Sequence, residues 1–162
     1  MSGRFVRKGV REDAARIAEI YNEGIADRIA TFETEPREPK QILAWFEQGY
    51  PVQVSGDEEK VMAYAAAFPY RSRPCYDGVR EFSVYVVREG RGKGFGKAAL
   101  SVLIEEARAR GWWKLVSRIF PENTASLNLC ASLGFREVGI YEKHGQLDGR
   151  WRDVVIVEKL LI

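Results

Sequence analysis

Cysteine and histidine are scarce in this sequence of 162 residues, which carries thiol or imidazole groups only at Cys75, Cys130 and His144. The two cysteines lie far apart and form no CxxC pair, so we expect neither a disulfide framework nor a zinc site. Free cysteines are typical of a reducing compartment, and we expect a cytoplasmic protein that holds no metal.

Long apolar runs and an excess of one charge are also missing. No stretch approaches the roughly 18 apolar residues of a membrane helix, and residues 1–13 lack the apolar segment of a signal peptide. The 25 Lys and Arg side chains nearly balance the 23 Asp and Glu side chains, which leaves a net charge of +2. We therefore expect no nucleic-acid partner and no membrane partner.

The hydrophobic pattern predicts a single domain over residues 1–162 with mixed α/β structure. A chain of this length that is 46% hydrophobic is typical of one folded domain. The predicted strands are 4–10, 52–55, 60–68, 81–87, 113–120, 137–144 and 150–161, and the predicted helices are 12–25, 40–48, 98–110 and 124–133. Residues 26–40 form either a loop or a second short helix with a turn. This order, written βα(α)ββββαβαββ to allow one further break within residues 52–87, predicts a layer of helices on each side of a sheet, with strand 81–87 at its centre.

A glycine-rich turn, residues 88–97, connects the predicted strand 81–87 to the helix at 98–110. Its glycines are Gly90, Gly92, Gly94 and Gly96, and its positive charges include Arg91, Lys93 and Lys97. Glycine lets the backbone approach a ligand closely, and the free N–H groups of a helix N-terminus attract phosphate. The turn fits neither the GxxxxGK[ST] pattern nor the GxGxxG pattern. It is therefore either a phosphate-binding turn of another kind or a flexible basic turn without a ligand.

Two motifs resemble those of the GNAT superfamily of N-acetyltransferases. The R-x-x-G-x-G pattern at 91–96 resembles its pyrophosphate loop, and residues 123–135 resemble its N-x-x-S helix that leads to L-G-F. The resemblance covers nearly the whole chain and implies a central, mostly antiparallel mixed sheet with helices on both faces, and acetyl-CoA as cosubstrate. The implied cofactor contacts are Val84, Tyr85, Val86, Arg91, Gly92, Lys93, Gly94, Phe95, Gly96, Lys97, Asn123 and Ser126. A role of Asn123 as helix cap, with Ser126 at the third position, is compatible with these contacts.

Within the superfamily, the chain resembles the phosphinothricin and methionine sulfoximine acetyltransferases. The local matches are ATFETEP at 30–36, YRSRPCY at 70–76, Glu81 followed by SVYV at 83–86, and KHG at 143–145 with WRDV at 151–154. The second match departs from the subgroup by carrying Cys75 in place of alanine. A longer hairpin at 146–150 is a further departure, and we expect it to reshape the rim of the acceptor pocket.

The reaction implied by the resemblance needs a base, because an α-ammonium is mostly protonated at neutral pH. Glu81 lies at the start of a buried strand and is the implied base, acting directly or through water; the alternative is a solvated glutamate at a strand end. A backbone N–H within 84–86 is the implied oxyanion donor. Cys130 stands where relatives often carry Tyr or His, so a general acid there is in doubt, and a small buried core residue is the alternative. The leaving thiolate, whose pKa is roughly 8.5, needs no dedicated acid.

The acceptor site is predicted from the same matches. The implied substrate-binding residues are Phe32, Glu33, Arg71, Arg73, Tyr76 and His144. Two guanidiniums suit a carboxylate together with a phosphinate or sulfoximine oxygen, although the arginines also suit a solvated loop. His144 either touches substrate, orients the base, or lies at the surface or an interface.

The sequence therefore predicts an acetyl-CoA-dependent N-acetyltransferase. We expect it to acetylate the α-amino group of a small amino acid or analogue, similar to phosphinothricin or methionine sulfoximine, by direct attack in a ternary complex. Such an activity confers resistance or detoxification, and similar proteins are commonly homodimers. The alternatives are a protein N-terminal or lysine acetyltransferase, which the Arg71 and Arg73 pair disfavours, and a non-catalytic acyl-CoA-binding sensor, which Glu81 disfavours. The physiological acceptor and the breadth of acyl donors stay open.

Overall fold

Strands and helices follow the hydrophobic pattern of the chain closely. The protein is described by a computed structural model that covers residues 3–162. Its strands are β1 Arg4–Lys8, β2 Val52–Asp57, β3 Lys60–Pro69, β4 Val79–Val86, β5 Lys114–Ile119, β6 Arg136–Leu147 and β7 Arg150–Leu160. Its α-helices are α1 Ala14–Asp27, α2 Pro39–Glu47, α3 Phe95–Ala109 and α4 Thr124–Ser132. Within the described range, no helix combines the length and the apolar composition that a membrane span requires.

The strands form one sheet in the order β1-β2-β3-β4-β5-β7-β6. The neighbouring strands are antiparallel except for β4 and β5, which run parallel. The predicted mostly antiparallel mixed sheet is confirmed, with β4 in its middle. The parallel pair is short, because only Val79, Arg80 and Glu81 of β4 have partners on β5. Beyond Glu81 the two strands separate, and a gap opens in the centre of the sheet.

Helices cover both faces of the sheet, as predicted. Apolar residues at three- and four-residue spacing, among them Ile17 and Ile20, give α1 a buried face that packs with α2 on one side of the sheet. On the other side, Leu100 and Leu103 of α3 pack against the sheet together with Cys130 of α4. Each fully buried aliphatic side chain stabilises the fold by about 1.5–3 kcal/mol.

The ends of the elements differ from the predictions in places. Helix α1 begins at Ala14 instead of Glu12, because residues 11–13 form a 3-10 turn in which the Asp13 carboxylate accepts from the Val10 N–H (2.8 Å). Between Arg28 and α2 the chain contains no helix, so the loop alternative for this segment is correct. The hairpin at 146–150 consists of two strand ends joined by the two-residue turn Asp148–Gly149.

Candidate active site

The gap between β4 and β5 opens into a cavity, here called the central cavity. It has a volume of about 160 Å³ and is lined by residues of β4, β5 and α4, including Glu81, Arg118, Asn123 and Cys130. The cavity exists because β4 loses its partner strand beyond Glu81. The predicted base therefore lies at the point where the sheet opens.

At every second residue of β4, the backbone N–H and C=O groups point into this gap. The Val87 N–H, just beyond β4, donates to the Met62 carbonyl of β3 (2.9 Å), so odd-numbered residues face β3. The Phe82 carbonyl points the other way and accepts from the Ser117 hydroxyl of β5 (2.9 Å). Because the hydrogen-bonding direction alternates along a strand, the even-numbered residues of β4 direct their N–H groups into the gap.

Phe82, Val84 and Val86 are the even-numbered residues of β4 that border the cavities, and Val84 and Val86 lie farthest from the segment paired with β5. Their N–H groups therefore face the space in which an oxyanion can accept from them. The N–H of Tyr85 faces β3, and the Tyr85 ring stacks on Tyr21 and Tyr64 with centroid distances of 4.8 and 5.5 Å. Burial raises the pKa of Tyr85, so this phenol is a neutral part of the wall.

The glycine-rich turn and the start of α3 form a second cavity, here called the glycine-turn cleft, of about 530 Å³. Gly92 and Gly94 have φ angles of +76° and +89°, which other residues adopt only with strain. A Cβ at Gly96 would lie 2.9 Å from the Leu129 side chain, so glycine also lets α3 pack closely against α4. The N–H groups of the first turn of α3 have no intrahelical partner and attract anions. The cleft is therefore suited to a diphosphate.

The cations predicted on this turn differ in their surroundings. Lys97 lines the cleft, whereas Lys93 does not. The backbone carbonyl of Lys93 accepts a hydrogen bond from the Arg4 guanidinium (2.5 Å). Arg91 lines the cleft and also pairs with Asp27 at the end of α1 (2.7 Å). This ion pair attaches the turn to α1.

The start of α4 completes the wall between the two cavities. The Asn123 amide oxygen accepts from the Ser126 N–H (3.2 Å), and the amide nitrogen donates to the Ile29 carbonyl (3.5 Å). Asn123 and Ser126 both line the central cavity and the glycine-turn cleft. Asn123 is thus the cap of α4 and also borders both cavities, so the cap is compatible with the predicted cofactor contact.

Glu81 forms an ion pair with Arg118 of β5, a residue that the sequence reasoning missed. The Arg118 Nη2 lies 2.5 Å from the Glu81 Oε1. The sequence of β5 could have indicated it, because Arg118 is a charged residue between the buried positions Leu115 and Ile119 of a strand next to β4. Only the pairing of β5 with β4 shows that it meets the predicted base.

Cys130 lines the central cavity and is buried. Burial raises the pKa of its thiol to about 12. Such a thiol cannot protonate a thiolate whose own pKa is roughly 8.5. The alternative of a small core residue therefore describes Cys130 better than that of a general acid.

A third cavity, here called the hairpin cavity, lies beside the β6–β7 hairpin and has a volume of about 420 Å³. The predicted residues Phe32 and His144 line it together with Arg118, Phe120 and Val154. The Phe32 and Phe120 rings meet edge to face at 4.9 Å. The cavity shares Arg118 with the central cavity, so the two are neighbours.

Four predicted substrate-binding residues do not line any of these three cavities: Glu33, Arg71, Arg73 and Tyr76. The Glu33 carboxylate accepts from the Tyr21 hydroxyl and from Arg37 (2.7 Å). Burial is the largest single effect and opposes ionisation of Glu33, but the hydrogen bonds from Arg37 and Tyr21 and the charge of Arg37 together outweigh it and lower the pKa. Arg71 lies over the Tyr70 ring at 4.2 Å on the exposed loop after β3. Their predicted roles stay predictions.

Comparison with known proteins identifies the class to which this fold and site belong. The model of the Acetyltransferase (GNAT) family matches residues 17–135. The chain belongs to this family and is an N-acetyltransferase that uses acetyl-CoA as cosubstrate. The glycine-turn cleft fits that cosubstrate, because free N–H groups and Lys97 suit its diphosphate. Across residues 3–162, no three His, Cys, Asp or Glu side chains come together as a metal-binding group.

Three relatives define the subgroup. The L-amino acid N-acyltransferase MnaT of Escherichia coli is 40% identical and covers 98% of this chain and 92% of its own. The L-methionine sulfoximine/L-methionine sulfone acetyltransferase of Pseudomonas paraeruginosa is 36% identical over 90% of this chain and 88% of its own. The phosphinothricin acetyltransferase of Sinorhizobium meliloti, solved in complex with acetyl-CoA, superposes with a TM-score of 0.90 at 33% identity, over 98% of this chain and 88% of its own. The predicted subgroup is confirmed.

Proposed function

We propose that the protein transfers the acetyl group of acetyl-CoA to the α-amino group of a small L-amino acid or amino-acid analogue, in a ternary complex. The observation that carries the proposal is the position of the central cavity, which shares lining residues with the glycine-turn cleft on one side and with the hairpin cavity on the other. Acyl donor and acceptor can therefore meet beside Glu81.

The glycine-turn cleft would hold the diphosphate of acetyl-CoA. The free backbone N–H groups of the turn within residues 92–97 supply hydrogen bonds, and Arg91 and Lys97 supply positive charge. The pantetheine arm would then pass Asn123 and Ser126, which border both the cleft and the central cavity. This path brings the thioester to the even-numbered N–H groups of β4.

Glu81 would accept a proton from the acceptor ammonium, so that the free amine attacks the thioester carbon. The resulting oxyanion accepts a hydrogen bond from the N–H of Val84 or Val86. When the intermediate collapses, the carbon–sulfur bond breaks and the CoA thiolate leaves with the electron pair. The nitrogen loses its remaining extra proton to solvent, and the thiolate takes a proton from solvent. No general acid is needed, in agreement with the raised pKa of Cys130.

The acceptor class follows from the relatives and from the hairpin cavity. The relatives act on L-amino acids, methionine sulfoximine, methionine sulfone or phosphinothricin, as their names state. The apolar residues Phe32, Phe120 and Val154 offer space for a side chain of this size. Such an activity would give resistance to a toxic amino-acid analogue. The alternatives of a protein acetyltransferase and a non-catalytic sensor are not favoured by these relatives.

We also propose that residues 1–162 form one N-acetyltransferase domain that works as a cytoplasmic homodimer. Strand β6 is an edge of the sheet, and Val138, Ile140, Tyr141 and Trp151 expose apolar surface on or beside it. Such a patch on an edge strand is typical of an interface. Both cysteines are free thiols, which suits a reducing compartment.

The test is the release of CoA, followed with a thiol reagent, from purified protein with acetyl-CoA and a panel of amino acids, amines and peptides. We expect release with a subset of free L-amino acids or their sulfone, sulfoximine and phosphinate analogues. In Glu81→Gln the turnover number should fall by about 10²–10⁴-fold, because a general base contributes that much. Tight CoA binding without release would support the sensor, and release with peptides alone would support a protein acetyltransferase.

A further inference from the structure

Glu81 and Arg118 form a pair of opposite charges where the central and hairpin cavities meet. The Arg118 Nη2 lies 2.5 Å from the Glu81 Oε1, and the two side chains are 43% and 30% exposed. Arg118 lines both cavities, and Glu81 lines the central one. A ligand in the central cavity therefore meets both charges, and a ligand in the hairpin cavity meets Arg118.

This pair is complementary in charge to the head group of a free amino acid. An α-amino acid carries an ammonium and a carboxylate on the same carbon atom, so its two charges are also close together. When the ammonium lies beside the Glu81 carboxylate, the substrate's carboxylate lies beside Arg118. A guanidinium binds a carboxylate through parallel hydrogen bonds, and it has enough N–H donors to keep its bond to Glu81 as well.

The other arginines near the hairpin cavity are engaged elsewhere. Arg28 pairs with Asp148 (3.0 Å), and Arg152 pairs with Glu122 (3.2 Å). Neither of these arginines lines the central or the hairpin cavity. Among residues 3–162, Arg118 is the one cationic side chain that lines both.

We propose that Arg118 binds the α-carboxylate of the acceptor amino acid. The proposal rests on the proposed function, since it places the acceptor ammonium at Glu81. The acceptor side chain then extends into the hairpin cavity, alongside the contacting rings of Phe32 and Phe120. Arg118 thereby selects free amino acids over amino-acid amides, peptide N-termini and lysine side chains, none of which carries a carboxylate next to the amine.

The experiment compares L-methionine sulfone with its carboxamide, which lacks only the carboxylate charge. We expect wild-type protein to prefer the acid. Arg118→Gln should lower kcat/KM for the acid by about 10- to 100-fold more than for the amide, mostly because KM for the acid rises. Arg118→Lys should restore part of the preference, because it keeps the charge without the planar fork. The acid-to-amide ratio of kcat/KM is compared between variants, so the difference in amine basicity between the two acceptors affects every variant equally and cancels. Arg11→Gln, an exposed change before α1 and outside the three cavities, is the matched control.

Equal losses for acid and amide would overturn the proposal, because Arg118 would then act only on Glu81. A preference lost in Arg71→Gln or Arg73→Gln but kept in Arg118→Gln would overturn it too, and would place the carboxylate on the loop after β3. The same acid-to-amide ratio is also measured as dissociation constants by calorimetry with CoA present. The binding ratio tests Arg118 even if no amino acid releases CoA, an outcome that would contradict only the proposed function.

Discussion

At the scale of single residues, Cys130 shows how burial decides what a side chain can do. Its thiol lies in the wall of the central cavity, yet it packs with the core on the α3 and α4 side of the sheet. Burial raises its pKa from the ordinary 9.0 to about 12. In the folded protein the thiol keeps its proton at pH values where the unfolded chain has released it, and this difference links stability to pH.

We predict that the folding stability contributed by Cys130 is lost in alkaline solution. Below the pKa that Cys130 has in the unfolded chain, both states hold the proton and the contribution to stability is complete. Between that pKa and the higher pKa of the folded state, the free energy of unfolding falls by up to about 1.4 kcal/mol per pH unit. Urea unfolding from about pH 8 to about pH 11 should show a steeper decline for wild type than for Cys130→Ala. Tyrosines titrate in both proteins, so the difference isolates the thiol. Parallel declines in the two proteins would mean that folding does not raise the pKa of Cys130.

Side chains that carry charge were the hardest to place from the sequence. The match at 30–36 predicts that Glu33 meets the substrate; its carboxylate also accepts from Arg37 and Tyr21, and the predicted role stays a prediction. Arg118 carried no motif, and its contact with Glu81 joins residues that are 37 positions apart. The contact between Glu81 and Arg118 depends on which strands become neighbours, and local sequence patterns do not contain this information.

At the scale of elements, the start of α3 is the feature on which we expect cofactor binding to depend. Gly94 precedes the helix with a φ of +89°, and the nearest atom to a Cβ placed there is the Arg4 Nη1 at 3.6 Å. Gly94 also lines the glycine-turn cleft. An aspartate there adds a carboxylate next to the N–H groups of the first turn, where the diphosphate would bind.

We predict that Gly94→Asp raises the KM for acetyl-CoA by about tenfold or more, because a carboxylate competes with the diphosphate for the same N–H groups. The matched control is Gly49→Asp, since Gly49 has a φ of +75°, has nothing within 4 Å of its Cβ position and lies outside the cleft. Both variants should lose about 1 kcal/mol of stability from the backbone strain. Steady-state kinetics and urea unfolding measure the two effects separately. A similar KM for both variants would contradict binding at the turn.

The elements themselves were largely predictable, because periodic apolar residues define them. The structure contains the predicted helices and strands, with shifted ends where a short-range effect escapes the periodicity. Helix α3, for example, begins at Phe95 instead of Ala98, since a glycine-rich segment has low helix propensity and conceals the first turn. Strand β6 also extends past its predicted end at residue 144. It continues to Leu147, because the tight Asp148–Gly149 turn joins β6 directly to β7.

At the scale of the whole molecule, the active site is a consequence of one incomplete strand pairing. The chain order predicted the sheet and both helix layers, and the resemblance predicted the family, which the comparisons confirm. The place where β4 and β5 separate could not be predicted, because it depends on how α3 and α4 pack under both strands. The same geometry leaves β6 at the far edge of the sheet.

We predict that the edge at β6 forms the interface of the proposed homodimer. Ile140 is 58% exposed on β6, and a charge placed there would be buried without a partner in a dimer, which is costly. Ile140→Glu should therefore weaken dimerisation at least about tenfold, measured by analytical ultracentrifugation over a range of concentrations. The control is Val6→Glu, because Val6 is 41% exposed on β1 at the opposite edge of the sheet. A dimer that tolerates Ile140→Glu but dissociates with Val6→Glu would place the interface at β1, and a monomeric wild type would contradict the homodimer itself.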